Sequence, residues 1–227
     1  MTEDRCTVDV GNSSIGVGWW QDGQLAVERL RDPRQAASRL RGLAAVISVS
    51  PLRLEALIGA LAPGQAGRTQ VLTRPPEDLG AGELLASAGA DRIAAALAVR
   101  PGPAVVVDAG TAVTVDIIDA RGRYLGGFIA PGPAASALGV ASHAAQLPRL
   151  PGGRVPLVHG AGTSQALAAG LWGMAVGGVD RLVEAALAAL PRSPAPRLVC
   201  TGGWGADWAA DTRHGDVRVD PDLVHRG

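Results

Sequence analysis

A short motif that occurs twice is the strongest constraint on the fold of this chain. Residues 9–14 read DVGNSS and residues 108–114 read DAGTAVT, and each copy lies between two apolar segments. This pattern is typical of two strands joined by a tight turn, with Asp9 and Asp108 at the end of the first strand. The repeat predicts that the chain is an internal duplication of one supersecondary unit.

The segments that follow each motif repeat the same order. Three strand-like segments, a helical segment, a strand and a second helical segment run from residue 6, and the order restarts at residue 104. Strands alternating with helices of this length predict α/β layers. We therefore expect an α/β fold with two duplicated domains of order βββαβα and a cleft between them. Pro101-Gly102-Pro103 marks the boundary, which gives domains at residues 1–101 and 102–227.

Composition excludes several classes of function. The 21 basic residues are all arginine and balance 21 acidic residues, so the net charge is zero. A neutral chain with 3% aromatic residues argues against a nucleic-acid partner. Because lysine is absent, a Walker-type P-loop is excluded. A phosphate site in this chain would depend on backbone amides, hydroxyls, arginine and metal.

The sequence predicts a cytoplasmic protein without a membrane partner. Its polar start leads directly into a strand, which does not resemble a signal peptide. Residues 166–179 form the longest charge-free apolar stretch; they are shorter than a membrane span and predict a buried helix. Cys6 and Cys200 lack metal-ligand spacing, and we expect reduced thiols in core strands.

The duplicated turns also suggest a chemistry. A glycine after a strand lets backbone N–H groups approach a phosphate, a hydroxyl or amide adds donors, and a carboxylate can hold the accompanying cation. Two such turns facing each other would hold a nucleoside triphosphate, which predicts a phosphoryl-transfer enzyme. The alternative for Asp9 is an aspartate that caps a β-turn, and the alternative for Thr114 is an ordinary strand residue.

Five motifs, taken in order, resemble those of the type III pantothenate kinases, members of the actin, sugar-kinase and Hsp70 nucleotide-binding superfamily. They are DVGNSS (9–14), GADR (89–92), DAGTAVTVD (108–116), GGFIAPG (126–132) and TGG (201–203). The resemblance covers nearly the whole chain. It implies two ribonuclease-H-like (actin-like ATPase) domains. It also implies ATP-dependent phosphorylation of pantothenate to 4'-phosphopantothenate, the first step of coenzyme A biosynthesis.

The resemblance implies a role for each motif residue. Asp91 is implied to be the catalytic base, Asp9 to hold Mg²⁺ directly or through water, and Asp108 to hold a monovalent cation, K⁺ or NH₄⁺. The residues implied to bind ATP and its phosphates are Asp9, Gly11, Asn12, Ser13, Gly110, Thr111, Thr114, Thr201, Gly202 and Gly203. The residues implied to bind the acceptor are Gly89, Ala90, Arg92 and Thr163.

Two further roles also have structural alternatives. Asp91 could instead be a helix-start residue favoured by the helix dipole, with Arg92 solvated. Thr163 is implied to reach the acceptor site of a neighbouring subunit, and its alternative is the N-cap of a long helix. That helix is rich in alanine and glycine, which allows close approach of a second helix and predicts a homodimer.

The chain departs from the family pattern in two places. The family usually carries a tyrosine and an Asn-Pro pair before GADR, whereas residues 82–89 here read GELLASAG and the single tyrosine is Tyr124. The sequence ends at Gly227, where the family normally continues into a closing helix. Two other functions stay open: a kinase of the same fold for another small hydroxy compound, and a non-catalytic regulatory relative.

Overall fold

The computed structural model describes residues 5–73, 75–80 and 83–227. The chain forms two compact units. The N-terminal unit contains the chain up to Ala98 together with Asp222–Gly227, and the C-terminal unit contains Val99–Pro221. Each unit is built on one five-stranded mixed sheet.

The sheet of the N-terminal unit has the strand order β3-β2-β1-β4-β5. Strand β1 is antiparallel to β2 and parallel to β4. The strands are β1 (Arg5–Val10), β2 (Ile15–Gln21), β3 (Gln24–Leu30), β4 (Leu43–Ser48) and β5 (Thr69–Val71). The helices are α1 (Pro33–Arg39), α2 (Pro51–Gly59), α3 (Pro63–Ala66), α4 (Glu83–Ser87) and α5 (Ala90–Ala98). Short 3-10 turns lie at Glu77–Leu79 and Leu223–Arg226.

The two faces of β1 have different roles. Cys6, Val8 and Val10 are buried in a core cluster that includes apolar residues of α1 and α2. Because successive side chains of a strand point to opposite faces, Thr7 and Asp9 lie on the other face, and both are half-buried. The core of this unit therefore leaves Asp9 on a face that can receive a ligand.

The C-terminal unit repeats this topology. Its strands are β6 (Ala104–Ala109), β7 (Ala112–Ile118), β8 (Tyr124–Pro131), β9 (Arg197–Thr201) and β10 (Val217–Val219), in the order β10-β9-β6-β7-β8. Its helices are α6 (Pro133–His143), α7 (Thr163–Ala188) and α8 (Gly205–Asp211). In both sheets three antiparallel strands are followed by two parallel ones. The predicted α/β duplication is confirmed.

The central strand of the C-terminal unit is buried on both faces. Residues 104–107 have no exposed surface, which is typical of a strand covered on both sides. Val105 and Val107 pack in a core cluster with Trp172 and Val183 of α7 and with Trp208 of α8. This packing fixes the end of β6, and with it the position of Asp108.

The end of the chain belongs to the N-terminal unit, which differs from the predicted division at residue 101. Asp222 accepts a hydrogen bond from Arg29 at 2.8 Å, and the Thr7 hydroxyl lies 2.9 Å from Nδ1 of His225. Leu223 and His225 are buried. Contacts between residues so far apart in sequence leave no periodic pattern, so the sequence reasoning assigned this segment to the second domain.

Helix α7 is longer than the charge-free stretch on which the sequence argument relied. Of the helices that the structure describes, this 26-residue helix is the one long and apolar enough, by length and composition, to cross a membrane. A third of its most apolar window is buried. Its buried side chains include Trp172, Val183 and the carboxylate of Asp180. Core helices of soluble proteins also meet these criteria, so length and composition alone do not indicate a membrane span.

Candidate active site

The first Asp-x-Gly turn follows the carboxyl end of β1. The Gly11 N–H donates to the Ser14 carbonyl at 3.0 Å, which closes the turn, and Asn12 and Ser13 are exposed at its tip. A Cβ atom at Gly11 would lie 3.2 Å from the Ser14 oxygen, so the turn leaves little room for a side chain there. The turn thus presents an amide and a hydroxyl beside Asp9.

The second turn, between β6 and β7, is one residue shorter and is also closed by its glycine N–H. The Gly110 N–H donates to the Ala112 carbonyl at 3.1 Å, and Thr111 is exposed at the tip. The Gly132 N–H, at the end of β8, donates to the Thr111 carbonyl at 3.0 Å. A Cβ atom at Gly132 would collide with the Gly110 carbonyl. Because glycine has no Cβ atom, position 132 allows the end of β8 to lie close to this turn.

The turn after β9 packs directly on the second Asp-x-Gly turn. Strands β6 and β9 are parallel, and Asp108 is paired in register with Thr201. Gly202 has φ +88°, and a Cβ atom there would lie 2.5 Å from Oδ1 of Asp108. Only a glycine combines this backbone conformation with so close an approach. The C-terminal unit thus brings the residues predicted at 108–111 and 201–203 together.

The GADR motif forms the start of α5. The Arg92 N–H donates to Oδ1 of Asp91 at 2.8 Å, and the Ile93 N–H donates to the Gly89 carbonyl at 3.1 Å. A Cβ atom at Gly89 would lie 2.5 Å from Oδ1 of Asp91. The carboxylate therefore folds back over Gly89. Gly89, Ala90, Asp91 and Arg92 are all half-buried.

Asp9 and Asp91 interact electrostatically within the N-terminal unit. The pKa of Asp9 is raised to about 6 by burial and by the charge of Asp91, against the opposing effect of Arg29. Two carboxylates close enough to repel each other are typical of a site for a divalent cation, which favours their ionised forms. In the described part of the chain, no three His, Cys, Asp or Glu side chains are grouped to hold a metal by themselves. The carboxylate of Asp9 is an oxygen donor of the kind that Mg²⁺ prefers.

Asp108 lies close to a buried thiol. Burial, followed by the charge of Asp108, raises the pKa of Cys200 to about 12, and burial also raises the pKa of Cys6. Both cysteines are free and buried in strands, as the sequence predicted. Thiols with raised pKa values stay protonated and are poor nucleophiles.

Thr114 is engaged inside the C-terminal unit. Its hydroxyl donates to Oδ2 of Asp116 at 2.8 Å, while the hydroxyl of Tyr124 donates to Oδ1 at 2.8 Å. Asp116 is only 1% exposed. Because a threonine hydroxyl has one proton, Thr114 can meet a phosphate as a donor only if it releases Asp116. The sequence reasoning did not identify the Asp116–Tyr124 pair.

Thr163 is the first residue of α7 and is exposed. The N-cap of this helix is Gly162, so the alternative that Thr163 is the N-cap is wrong. The turn before the helix is held instead by the Gln165 side chain, which accepts from the Ala161 N–H at 3.1 Å. Thr163 is left as an exposed hydroxyl at the helix start.

A cavity of about 830 Å³ lies inside the N-terminal unit, beside the carboxylates of Asp9 and Asp91. It separates the Asp9 face of the sheet from α5. Its wall includes Asp9, Gly89 and Ala90, and the rest of the lining is mainly apolar. Leu85, Ala86 and Ala88, from the segment that departs from the family pattern, also line it. The sequence reasoning did not predict a cavity of this size.

Comparison with known proteins gives one consistent family. Residues 6–185 match the family model of type III pantothenate kinase. The chain is 33% identical over 254 residues to a type III pantothenate kinase of Dehalococcoides mccartyi, which covers 100% of the chain and 96% of that protein. It is 35% identical over 231 residues to the enzyme of the same name from Halorhodospira halophila, which covers 91% of the chain and 89% of that protein.

Two solved structures have a similar fold. A structure from Campylobacter jejuni, described as a candidate transcriptional activator of the Baf family, is 27% identical, with a TM-score of 0.64 over 97% of the chain and 94% of that protein. MreB5 of Spiroplasma citri bound to ADP is 12% identical, with a TM-score of 0.50 over 99% of the chain and 94% of that protein, a likeness of fold alone. From its full-length relatives and its matched family model, the chain belongs to the type III pantothenate kinase family.

Proposed function

We propose that this chain transfers the γ-phosphoryl group of ATP to the primary hydroxyl of pantothenate, which gives 4'-phosphopantothenate in the first step of coenzyme A biosynthesis. Family membership supports the reaction. The observation in the structure that carries the proposal is that Asp9 lines the same cavity as Gly89, over which the Asp91 carboxylate lies, and that the two carboxylates repel each other. It puts a candidate cation ligand and a candidate base in one site, as phosphoryl transfer requires.

Asp91 is the proposed base. Its carboxylate lies over Gly89 at the start of α5 and can accept the proton of the acceptor hydroxyl as the new P–O bond forms. Phosphoryl transfer has a loose transition state, so orientation and charge neutralisation contribute more than the strength of the base. Mg²⁺, held by Asp9 directly or through water, would neutralise charge on the phosphates.

The phosphates are proposed to bind at the glycine turns. Donors in the N-terminal unit are the Gly11 turn with Asn12 and Ser13. Donors in the C-terminal unit are at Gly110 and Thr111, and at Thr114 once its hydroxyl releases Asp116. The turn of Thr201, Gly202 and Gly203 is proposed to lie against the nucleoside. Asp108 is the proposed ligand of K⁺ or NH₄⁺. Full activity in a buffer whose only monovalent cation is a bulky organic amine would contradict that assignment.

The acceptor is proposed to bind through Gly89, Ala90 and Arg92, with Thr163 supplied by a second subunit. Met174 on α7 is 76% exposed, and open space lies beside Gly170, Gly177 and Gly178 of the same helix. A helix with this much exposed apolar and small surface favours a homodimer. A monomer by light scattering at micromolar concentration would contradict the dimer and the shared site.

The proposed setting is the cytoplasm, with a small-molecule substrate and with neither a nucleic-acid nor a membrane partner. The zero net charge and the buried free thiols support this. A second candidate is a kinase of the same fold for another small hydroxy compound, because Leu85, Ala86 and Ala88 replace the family's usual segment in the cavity wall.

Incubation with ATP, Mg²⁺, K⁺ and a panel of small alcohols, with mass detection of products, distinguishes these functions. Phosphopantothenate as the main product supports the first function, and another phosphorylated alcohol supports the second. ATP binding with no product would indicate a non-catalytic relative.

A further inference from the structure

Helices α7 and α8 of the C-terminal unit are joined by two hydrogen bonds that run in opposite directions. The indole Nε1 of Trp208, on α8, donates to Oδ1 of Asp180, on α7, at 3.1 Å. The indole Nε1 of Trp172, on α7, donates to Oδ2 of Asp211, on α8, at 2.8 Å. Each helix thus supplies one indole and one carboxylate to the other. We call these four side chains the α7–α8 clamp.

Asp180 is the more buried carboxylate of the clamp and is 4% exposed. Besides the Trp208 indole, it accepts from the Thr212 hydroxyl and from the Arg213 backbone N–H, the latter at 3.3 Å. These three donors lie on α8 or in the two residues that follow it. A buried carboxyl group is costly unless its oxygens are hydrogen-bonded. Asp180 therefore favours the one placement of α8 in which all three donors reach it.

Helix α8 connects the clamp to the TGG turn. The Gly205 N–H donates to the Gly202 carbonyl at 3.2 Å, and the Trp208 N–H donates to the Trp204 carbonyl at 3.0 Å. A Cβ atom at Gly205 would lie 2.8 Å from Sγ of Cys200, so the start of α8 also packs directly on the end of β9. Because α8 has only seven residues, a shift of the helix along α7 would move the turn from which it begins.

We propose that Asp180 is a positioning residue for nucleotide binding: through the α7–α8 clamp it holds the TGG turn in the place, against Asp108, that accepts ATP. The inference rests on the proposed function, which puts the nucleoside at this turn. If the clamp is broken, the turn occupies that place for only part of the time. The apparent dissociation constant of ATP then rises in inverse proportion to the fraction of molecules that are competent to bind. Once ATP is bound the turn is in place, so kcat is retained.

A carboxylate could also stabilise the unit without any effect on the nucleotide site, and Asp119 offers a matched control for that role. It belongs to the same unit, its side chain is 14% exposed, and it accepts from the backbone N–H groups of Arg121 and Arg123 at 2.8 and 2.9 Å. Asp119 directly follows β7, at the end of the strand that is far from the Asp-x-Gly turn. Its loss should lower stability without moving the TGG turn.

The test compares Asp180→Asn with Asp119→Asn. Asparagine has nearly the shape of aspartate but a single acceptor oxygen, so at least one donor to residue 180 loses its partner. In Asp180→Asn we expect the calorimetric Kd of magnesium–ATP and KM for ATP to rise by about fivefold or more, with kcat and KM for pantothenate nearly unchanged. In Asp119→Asn both ATP constants should stay at their original values, although denaturant unfolding should show lower stability in both variants.

The binding measurement needs no acceptor, so it separates the inference from the proposed function. An unchanged Kd in Asp180→Asn, or an equal rise in Asp119→Asn, overturns the inference alone. Failure of the unaltered chain to bind magnesium–ATP overturns the proposed function and the inference with it. If Asp180→Asn does not fold, Thr212→Val removes one donor with little change of shape. The Kd should then rise by about twofold or more, and an unchanged value overturns the inference.

Discussion

The indole Nε1 of Trp204 donates a hydrogen bond to the carbonyl oxygen of Gly110 at 2.9 Å. The Trp204 backbone N–H donates to the Ala109 carbonyl at 3.1 Å, so one residue holds the second Asp-x-Gly turn through two bonds. Trp204 directly follows the TGG turn and packs edge-on against Trp172, with ring centroids 5.8 Å apart. The two candidate nucleotide-binding turns of the C-terminal unit are thus tied together by a side chain that the family motifs do not include.

Trp204→Phe should weaken ATP binding selectively. The substitution keeps an aromatic ring against Trp172 but leaves the Gly110 carbonyl without its indole donor. Loss of one hydrogen bond is worth about 0.5–1.5 kcal/mol, so we expect KM for ATP to rise by a factor of about 2–13 while KM for pantothenate changes little. Steady-state kinetics measures both constants. Trp20→Phe, which alters a half-exposed ring in the N-terminal unit, is the control, and an equal rise of both constants would contradict the role of Trp204.

Asp9 should give nucleotide binding an acid limb near pH 6. Because its pKa is raised to about 6, Asp9 is ionised above that pH and becomes protonated as the pH falls through it. A protonated carboxyl group is a poor Mg²⁺ ligand, so affinity for the magnesium–ATP complex should decrease below pH 6. The Asp9→Asn variant should lose most of this pH dependence and should bind magnesium–ATP weakly at every pH. Calorimetry from pH 5 to 8 would contradict the assignment if the unaltered chain bound magnesium–ATP equally well across that range.

Because Asp91 contributes to the raised pKa of Asp9, a substitution of Asp91 should change the pH dependence of magnesium–ATP binding. Asp91→Asn removes a charge that raises the pKa of Asp9. The acid limb of magnesium–ATP binding should therefore move to lower pH in this variant. Burial, the larger cause, remains, so the limb should stay above the ordinary aspartate value.

His225 should make the stability of the chain sensitive to acid. Its pKa is lowered to about 4 by burial and by Arg29, against the opposing effect of Asp222, while the unfolded value is 6.5. The unfolded state binds the proton first, so this contribution is complete above pH 6.5 and is lost as the pH falls towards 4. The difference corresponds to about 3 kcal/mol. Asp9 acts in the opposite direction over nearly the same range, because its folded pKa is the higher one.

Comparison with His225→Asn isolates this contribution. Asparagine keeps a polar side chain near Thr7 but does not titrate. Denaturant unfolding at pH 7 and at pH 4.5 should show a smaller loss of stability in the variant than in the unaltered chain. The same loss in both would exclude His225 as the acid-sensitive group.

The sequence was sufficient to predict the duplicated topology because β1 and β6 carry the same local signal, an apolar strand followed by Asp-x-Gly. Such signals depend on neighbouring residues and survive without tertiary contacts. The close approach of Gly202 to Asp108 has a different cause. Strands β6 and β9 are parallel, so their carboxyl ends meet at one edge of the sheet.

Other features depend on contacts between distant residues. The hydrogen bond between Trp204 and Gly110 joins residues 94 positions apart, and the contact of His225 with Thr7 joins residues 218 positions apart, so neither leaves a periodic pattern in the sequence. The cavity beside α5 exists because several small alanine side chains from different elements line it, and no single sequence motif contains all of them. Sequence patterns predict the position of strands, helices and turns, whereas the long-range hydrogen bonds and the cavity depend on how the side chains pack.

The central claim is that Asp91 accepts the proton of the pantothenate hydroxyl at a site shared with Asp9. Single-turnover formation of phosphopantothenate by Asp91→Asn, measured with saturating ATP and Mg²⁺, tests it most directly. We expect the rate to fall by about 10²–10⁴ while magnesium–ATP still binds at pH 7. A rate close to that of the unaltered chain would contradict the claim and remove Asp91 from the mechanism.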